Sequence, residues 1–268
     1  MTVPSRELIE ATTRLAHAAI DEAVRRPALV GICGTQASGK STLVRAVGER
    51  LEADGIPHAI LSIDDLYLTR AEREQLGRDV HPLLVTRGPP GTHDVALGHA
   101  VLDALGRGEA VALPRFDKAR DDRRPRIEWP MASEHCRVVL LEGWCVGAQP
   151  QSSEALAEPV NDLEATRDPG KVWRRFANDQ LARPYRDFFA RIDKLALLAA
   201  PGFEVVFDWR LEQERHGDGG NVMSPEDVRR FIAHYERITR HILDEMPGRA
   251  DLLVALDRER RSKILRGG

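Results

Sequence analysis

Three short stretches of the sequence carry residue types suited to phosphate chemistry. The first is GTQASGKS at 34–41, which fits the spacing G-x-x-x-x-G-K-[ST] between an apolar run and an amphipathic one. Glycines there let backbone N–H groups turn toward phosphate oxygens, and a helix start adds partial positive charge. Gly34, Thr35, Gln36, Ala37, Ser38, Gly39, Lys40, Ser41 and Thr42 form the expected ATP cradle. Lys40 is expected to reach the β- and γ-phosphates, and the Ser41 hydroxyl to join a Mg²⁺ shell. The second stretch, RVVLLEGW at 137–144, is an apolar run ending in Glu142, an acid suited to orienting Mg²⁺ or its waters. A glycine turn or a carboxylate leaving a sheet edge would be the plainer explanations. The lysine, the hydroxyl and both flanks together favour the phosphate reading.

The third stretch, AILSIDDLYLT at 59–69, ends an apolar run in Asp64 and Asp65. Adjacent carboxylates repel and gain nothing from burial, so their surroundings must use the charge. Phosphorylating a hydroxyl needs an acceptor for its proton and a group that aims its oxygen. Asp64 is therefore expected to be the base and Asp65 a hydrogen-bond acceptor on the substrate side, with capping of a following helix as the alternative for either. The loop RGPPGTHD at 87–94 presents Arg87, His93 and Asp94 from a course set by Pro and Gly. A single histidine there is no reason to assign chemistry, so His93 is a candidate contact only. LPRFDKARDDRRPR at 113–126 reads mostly as a solvated charged loop. A small anionic acceptor would need one or two fixed cations, and Lys118 and Arg123 are the candidates.

Strands must bring these stretches together. Apolar runs at 28–33, 58–63, 136–143, 194–200 and 250–256 read as five strands, the last closing the chain. Helical patterns lie between them: one begins at Ser5, one follows the phosphate loop, and one is capped by Asp94. A further helix starts at Ser224–Pro225 and runs through 246. Strands alternating with helices point to an α/β fold with a mainly parallel sheet, whose strand ends line a ligand crevice. Stretches 147–159 and 214–221 look mobile, the second lying where a phosphate-transfer enzyme carries a lid.

Bulk properties bound the function. The 39 Lys+Arg against 42 Asp+Glu leave no basic surface for nucleic acid, and 5% aromatics are few for stacking bases. There is no apolar run of membrane-spanning length and no secretory leader, so a cytoplasmic protein with no membrane partner is expected. Cys33, Cys136 and Cys145 read as small buried apolar residues in a reducing compartment. No feature sets an oligomeric state.

GTQASGKST, SIDDLYLT, RGPPGTHD, LPRFDKA, LLEGW, PYRDFFARID, WRLEQE and MSPEDVRRFIAHYERIT occur in this order over roughly 29–256. Together they resemble the D-glycerate 3-kinase family, within the phosphoribulokinase, uridine kinase and pantothenate kinase superfamily of P-loop kinases. The resemblance implies a single P-loop NTPase-type domain over 1–268. It would comprise a five-stranded, mainly parallel sheet flanked by helices, an N-terminal helix within 1–27 and a small lid at about 208–223. It also implies ATP- and Mg²⁺-dependent phosphorylation of D-glycerate to 3-phosphoglycerate, with Asp64 aligned with the catalytic aspartate. In uridine kinases the segment like LPRFDKARDDR holds the acceptor, which adds Phe116 and Asp117, and Tyr67 beside the base, to the substrate set. WRLEQERHG falls where their arginine-bearing lid lies, so Arg210 and Arg215 are implied cations on the phosphates. Ala119 with the shorter ARDDR, Leu66, and Asn221-Val222-Met223 depart from the family pattern. The altered loop lies against the acceptor, so a nucleoside or pantothenate-like alcohol stands as the alternative substrate. A regulatory P-loop ATPase is the alternative outside small-molecule kinases, and the paired acids disfavour it.

Overall fold

A computed structural model describes residues 3–216 and 223–267. The first layer is α1 (Arg6–Glu22), whose Ser5 cap accepts a hydrogen bond from the Leu8 N–H as the sequence leads one to expect. Next come β1 (Ala28–Gly34), α2 (Lys40–Ala53), β2 (His58–Ser62), α3 (Arg70–Asp79) and α4 (Val95–Gly106). The remaining principal elements are β3 (Val138–Gly143), β4 (Lys194–Ala199), α5 (Glu204–His216), α6 (Pro225–Ala233), α7 (Glu236–Glu245), β5 (Leu252–Leu256) and β6 (Ser262–Arg266). The sheet has six strands in the order β6-β5-β4-β1-β3-β2. Strands β1 to β5 pair in parallel, and β6 runs antiparallel to β5 at the edge.

β6 corrects the expected five strands. Its sequence, SKILR, offers two apolar residues among charges, of which Ile264 packs on the core. Charge is what an edge strand needs to stay unpaired on its open side, and it also hides the strand from a hydrophobic scan. The helix expected from Ser224 is two: α6 ends at Ala233, capped by His234, and α7 restarts after Tyr235. The break carries no Pro or Gly. Tertiary contacts set it, because Tyr235 turns inward to donate to the Arg87 carbonyl at 3.0 Å and to pack edge-on against Trp144.

The strands alternate between two cores. Leu29 and Cys33 of β1 and Val139 and Leu141 of β3 face α4 and Phe188. Val30, Ile32, Val138 and Leu140 face Leu15 of α1 and Leu43, Val47 and Leu51 of α2. A central strand covered on both faces is apolar throughout, which is why these runs were legible. Each fully buried aliphatic side chain contributes about 1.5–3 kcal/mol. The three cysteines are free and buried, and burial pushes the Cys33 thiol up to about 12.

The 147–159 stretch is pinned rather than loose. Arg237 donates to the carbonyls of Ala155 and Glu158 at 2.7 and 2.6 Å and pairs with Glu164 at 2.6 Å, while Arg174 donates to the Leu156 carbonyl at 3.0 Å. Both members of the Arg237–Glu164 pair are nearly inaccessible, at 5% and 1% exposure. Arg237→Met leaves a buried carboxylate without its cation, so we expect a stability loss of about 3–5 kcal/mol, read from urea unfolding. A loss below about 1 kcal/mol would contradict the structural role. Among the described residues, no helix is long and apolar enough to cross a membrane.

Candidate active site

The parallel register places three loops at one end of the sheet. Glu142 pairs with Ile32 on one side and Ser62 on the other, so the phosphate loop, Glu142 and Asp64 all leave the sheet together. Carboxyl ends of parallel strands flanking a central strand are where such folds open a crevice. Gly143 lets the Asp64 turn close onto β3, since a Cβ there would lie 2.3 Å from the Ile63 side chain.

The loop at 34–39 turns through left-handed backbone at Ala37 (φ 58°) and Gly39 (φ 91°), and α2 begins at Lys40. Lys40 Nζ donates to the Thr35 carbonyl at 3.1 Å, and Ser41 Oγ donates to Glu142 Oε1 at 3.0 Å. The side-chain amide of Gln36 and the Ser38 hydroxyl are buried with no protein partner, as groups awaiting an external ligand are. A hydroxyl beside one carboxylate at a helix start suits Mg²⁺, which takes few protein ligands and completes its shell from phosphates and water. Among the described residues, no group of three or more His, Cys, Asp or Glu forms a separate metal cage.

Asp64 caps no helix. Ser62 accepts from the Asp64 N–H at 3.3 Å, and α3 is capped by Thr69 with Glu72. Both Asp64 oxygens are engaged by side chains: Tyr67 donates to Oδ1 at 2.8 Å and Lys118 to Oδ2 at 2.6 Å. Burial alone would raise its pKa, but the Lys118 and Lys40 charges and these two hydrogen bonds outweigh it and hold the carboxyl well below the usual range. The same pairing raises Lys118, chiefly through the Asp64 charge.

A crevice of about 390 Å³ joins these groups. Of the residues singled out from sequence, Gln36, Ala37, Gly39, Lys40, Ser41, Thr42, Asp64, Tyr67, Arg87, Lys118, Glu142 and Arg210 line it. Arg87 is held by Asp121. Arg210 pairs with Glu214, lies over the Phe231 ring and leaves its Nε buried without a partner.

Five expected substrate contacts stand behind the wall instead. Asp65 accepts from the Phe116 N–H at 3.0 Å and from Arg115 at 3.3 Å, so it anchors the acceptor-side loop. Burial raises its pKa. Phe116 is packed edge-on against Tyr67, and Asp117 accepts from the Ala119 and Arg120 N–H groups at 3.0 and 3.1 Å. His93 is buried, stacked on Tyr67 and bonded to Tyr185 at 2.6 Å; burial pushes its pKa down to about 4. Arg123 donates to the Tyr67 carbonyl at 3.0 Å and to Asp94 at 3.2 Å. These side chains surround Tyr67 and Lys118 and are bonded mainly within the protein, although His93 Nε2 and Arg123 Nε are buried without a partner. Arg215 is exposed on the last turn of α5 and is not on the crevice wall. Residues 217–222, which include most of the glycine-rich lid stretch and the Asn221-Val222 departure, lie outside the described residues.

Seven crevice residues were not expected from sequence: Arg45 on α2, Glu212 and Gln213 on α5, and four that long-range packing brings in. Trp144 follows β3, Phe231 and Tyr235 flank the α6–α7 break, and Arg260 comes from the β5–β6 turn. Arg260 holds left-handed backbone (φ 62°), rests over the Trp209 ring, pairs with Glu212 and keeps its Nε buried without a partner. A local signal for Arg260 was absent, because only the unseen edge strand folds it back to the phosphate loop.

No protein-family model matches the chain. An uncharacterized kinase of Schizosaccharomyces pombe is 36% identical over 222 residues, covering 78% of this chain and 79% of that protein. The chloroplastic D-glycerate 3-kinase of Arabidopsis thaliana is 30% identical over 78% of this chain, which spans about half of that longer protein (46%). The solved D-glycerate 3-kinase of Cryptococcus neoformans superposes with a TM-score of 0.79 at 26% identity, covering 96% of this chain and 97% of the other. With the phosphate loop, the strand-end acid and the crevice in place, the chain belongs to the D-glycerate 3-kinase family of P-loop kinases and is an ATP-dependent phosphotransferase acting on a small molecule.

Proposed function

We propose that the chain transfers the terminal phosphoryl group of ATP to a hydroxyl of D-glycerate, forming 3-phosphoglycerate. The observation that carries this reading is that Asp64 and Lys40 line one crevice whose acceptor side also bears the cations Lys118 and Arg87. The acceptor oxygen attacks phosphorus as the bond to the bridging oxygen of ADP breaks, and the hydroxyl proton passes to Asp64. Lys40 and Arg210 supply positive charge where the phosphoryl group moves. Ser41 and Glu142 are suited to hold Mg²⁺, which when bound neutralises charge on the phosphate oxygens. Arg260 on Trp209 is suited to the nucleotide's far end. Arg260→Ala should weaken nucleotide binding by about two- to thirty-fold in calorimetry, the range of a cation–ring contact, and unchanged affinity would remove it from the site.

Aromatic residues in the crevice would favour a nucleoside acceptor if their faces were open. Three of the four are closed: Tyr67, Trp144 and Tyr235 are 2–3% exposed, with Tyr67 stacked on His93 and Trp144 packed on Tyr235, while the half-buried Phe231 carries Arg210 over its ring and Tyr235 against it. A small, charged acceptor fits better than a base. Three free buried cysteines and a near-neutral charge also suit a cytoplasmic metabolic enzyme. A panel of D-glycerate, uridine and pantothenate with ATP and Mg²⁺, followed by ADP release, tests the acceptor. D-Glycerate should turn over, and turnover of uridine with D-glycerate inert would reverse the assignment.

A further inference from the structure

The acceptor side of the crevice is neutralised from within. Arg87 is held by Asp121, Arg123 by Asp94 and Arg115 by Asp65. Lys118 differs from these in its partner and its freedom. Its partner is the base, and its side chain is 60% exposed where that of Asp64 is 29%. The backbone beneath it is fixed, since Asp117 accepts from the Ala119 and Arg120 N–H groups. Its ammonium, by contrast, sits on a four-carbon stem with rotatable donors. An ion pair so open to water is readily exchanged for another.

The pairing also obstructs chemistry. A carboxylate with an ammonium on one oxygen and a phenol on the other is a poor proton acceptor until one of them leaves. Tyr67 cannot leave easily, because it is buried between His93 and Phe116.

We propose that Lys118 is the specificity-determining cation of this enzyme: it rests on Asp64 and passes to a carboxylate of the acceptor, so that the base is released only when an acid-bearing alcohol occupies the crevice. This rests on the glycerate reading above and adds the reason for selecting an anion. In the exchanged state the Lys118 ammonium pairs with the acceptor's carboxylate and Oδ2 of Asp64 is open. The acceptor hydroxyl then forms its bond to phosphorus, and its proton moves to Oδ2 as the electron pair of the broken P–O bond leaves on ADP. No net charge is created by the exchange, since one carboxylate replaces another. Neutral alcohols, which have nothing to offer the ammonium, leave Asp64 paired. Water is equally unable to draw Lys118 away, which suppresses hydrolysis of ATP.

The test compares D-glycerate with glycerol, the same hydroxyl without the carboxylate, in wild type and Lys118→Met. The side chain is exposed, so its removal leaves the core intact. The wild-type preference for D-glycerate in kcat/KM should collapse by about 30-fold or more in the variant. Loss on both acceptors by the same factor would overturn the proposal. A second readout needs no turnover: the ¹³C resonance of the Asp64 carboxyl, followed in nucleotide-free wild type, should titrate at higher pH with D-glycerate bound and not with glycerol. An unmoved titration overturns it too. Wild type that prefers a neutral alcohol to D-glycerate removes the glycerate reading and the proposal together. Wild type that uses D-glycerate while Lys118→Met keeps its preference removes the role of Lys118 alone.

Discussion

Asp64→Asn should lower turnover by about 10²–10⁴-fold while nucleotide affinity stays within a few-fold of wild type. The substitution keeps the shape of the side chain, and its carbonyl oxygen can still accept from Tyr67, now 2.8 Å from Oδ1. What disappears is the negative charge that receives the acceptor's proton and holds Lys118 at 2.6 Å. The phosphate loop makes no hydrogen bond to Asp64, so ATP should bind much as before. Paired measurements of kcat and of nucleotide Kd by calorimetry separate the two effects. Transfer within a few-fold of wild type would remove Asp64 as the base.

Lys40→Ala should lower turnover by about 10²–10³-fold or more, the loss typical of removing one fixed charge stabiliser from a transition state. In the folded protein its ammonium is held by one neutral partner, the Thr35 carbonyl at 3.1 Å. Trading that single hydrogen bond for phosphate oxygens loses little, so the charge is available when the nucleotide enters. For the same reason the variant should fold normally, with a thermal midpoint near that of wild type. Undiminished activity would contradict the assignment of the 34–41 loop to catalysis.

The sheet and the phosphate loop were legible because their signals are local. β1 and β3 are apolar on both faces, and G-x-x-x-x-G-K-[ST] fixes a loop whose backbone conformation depends on its own glycines. Glu142 and Asp64 were legible as acids ending apolar runs. The register, pairing Glu142 with both Ile32 and Ser62, then brings them together. The acceptor side was harder to read. Asp65, His93, Phe116, Asp117 and Arg123 have the residue types of a binding site, but each is bonded to or packed on its protein neighbours and none lines the crevice. Composition cannot tell a residue that touches a ligand from one that holds its neighbour, because both need hydrogen-bonding groups at the same place. Tyr235 and Arg260 were invisible for a different reason. Each reaches the crevice through a long-range event, a helix break without Pro or Gly and a hairpin whose outer strand, SKILR, is too short and polar to show as an apolar run. The buried Arg237–Glu164 pair was hidden likewise, since its members lie 73 positions apart.

The central claim is that a phosphoryl group and an alcohol meet at Asp64. Phosphorus NMR of wild-type protein with ATP, Mg²⁺ and D-glycerate tests it most directly. The account expects a phosphomonoester signal, coupled to methylene protons of the acceptor, that grows in step with ADP and grows about 10²–10⁴-fold more slowly with Asp64→Asn. Growth of inorganic phosphate in its place, with no ester formed from D-glycerate or any other alcohol, would contradict it.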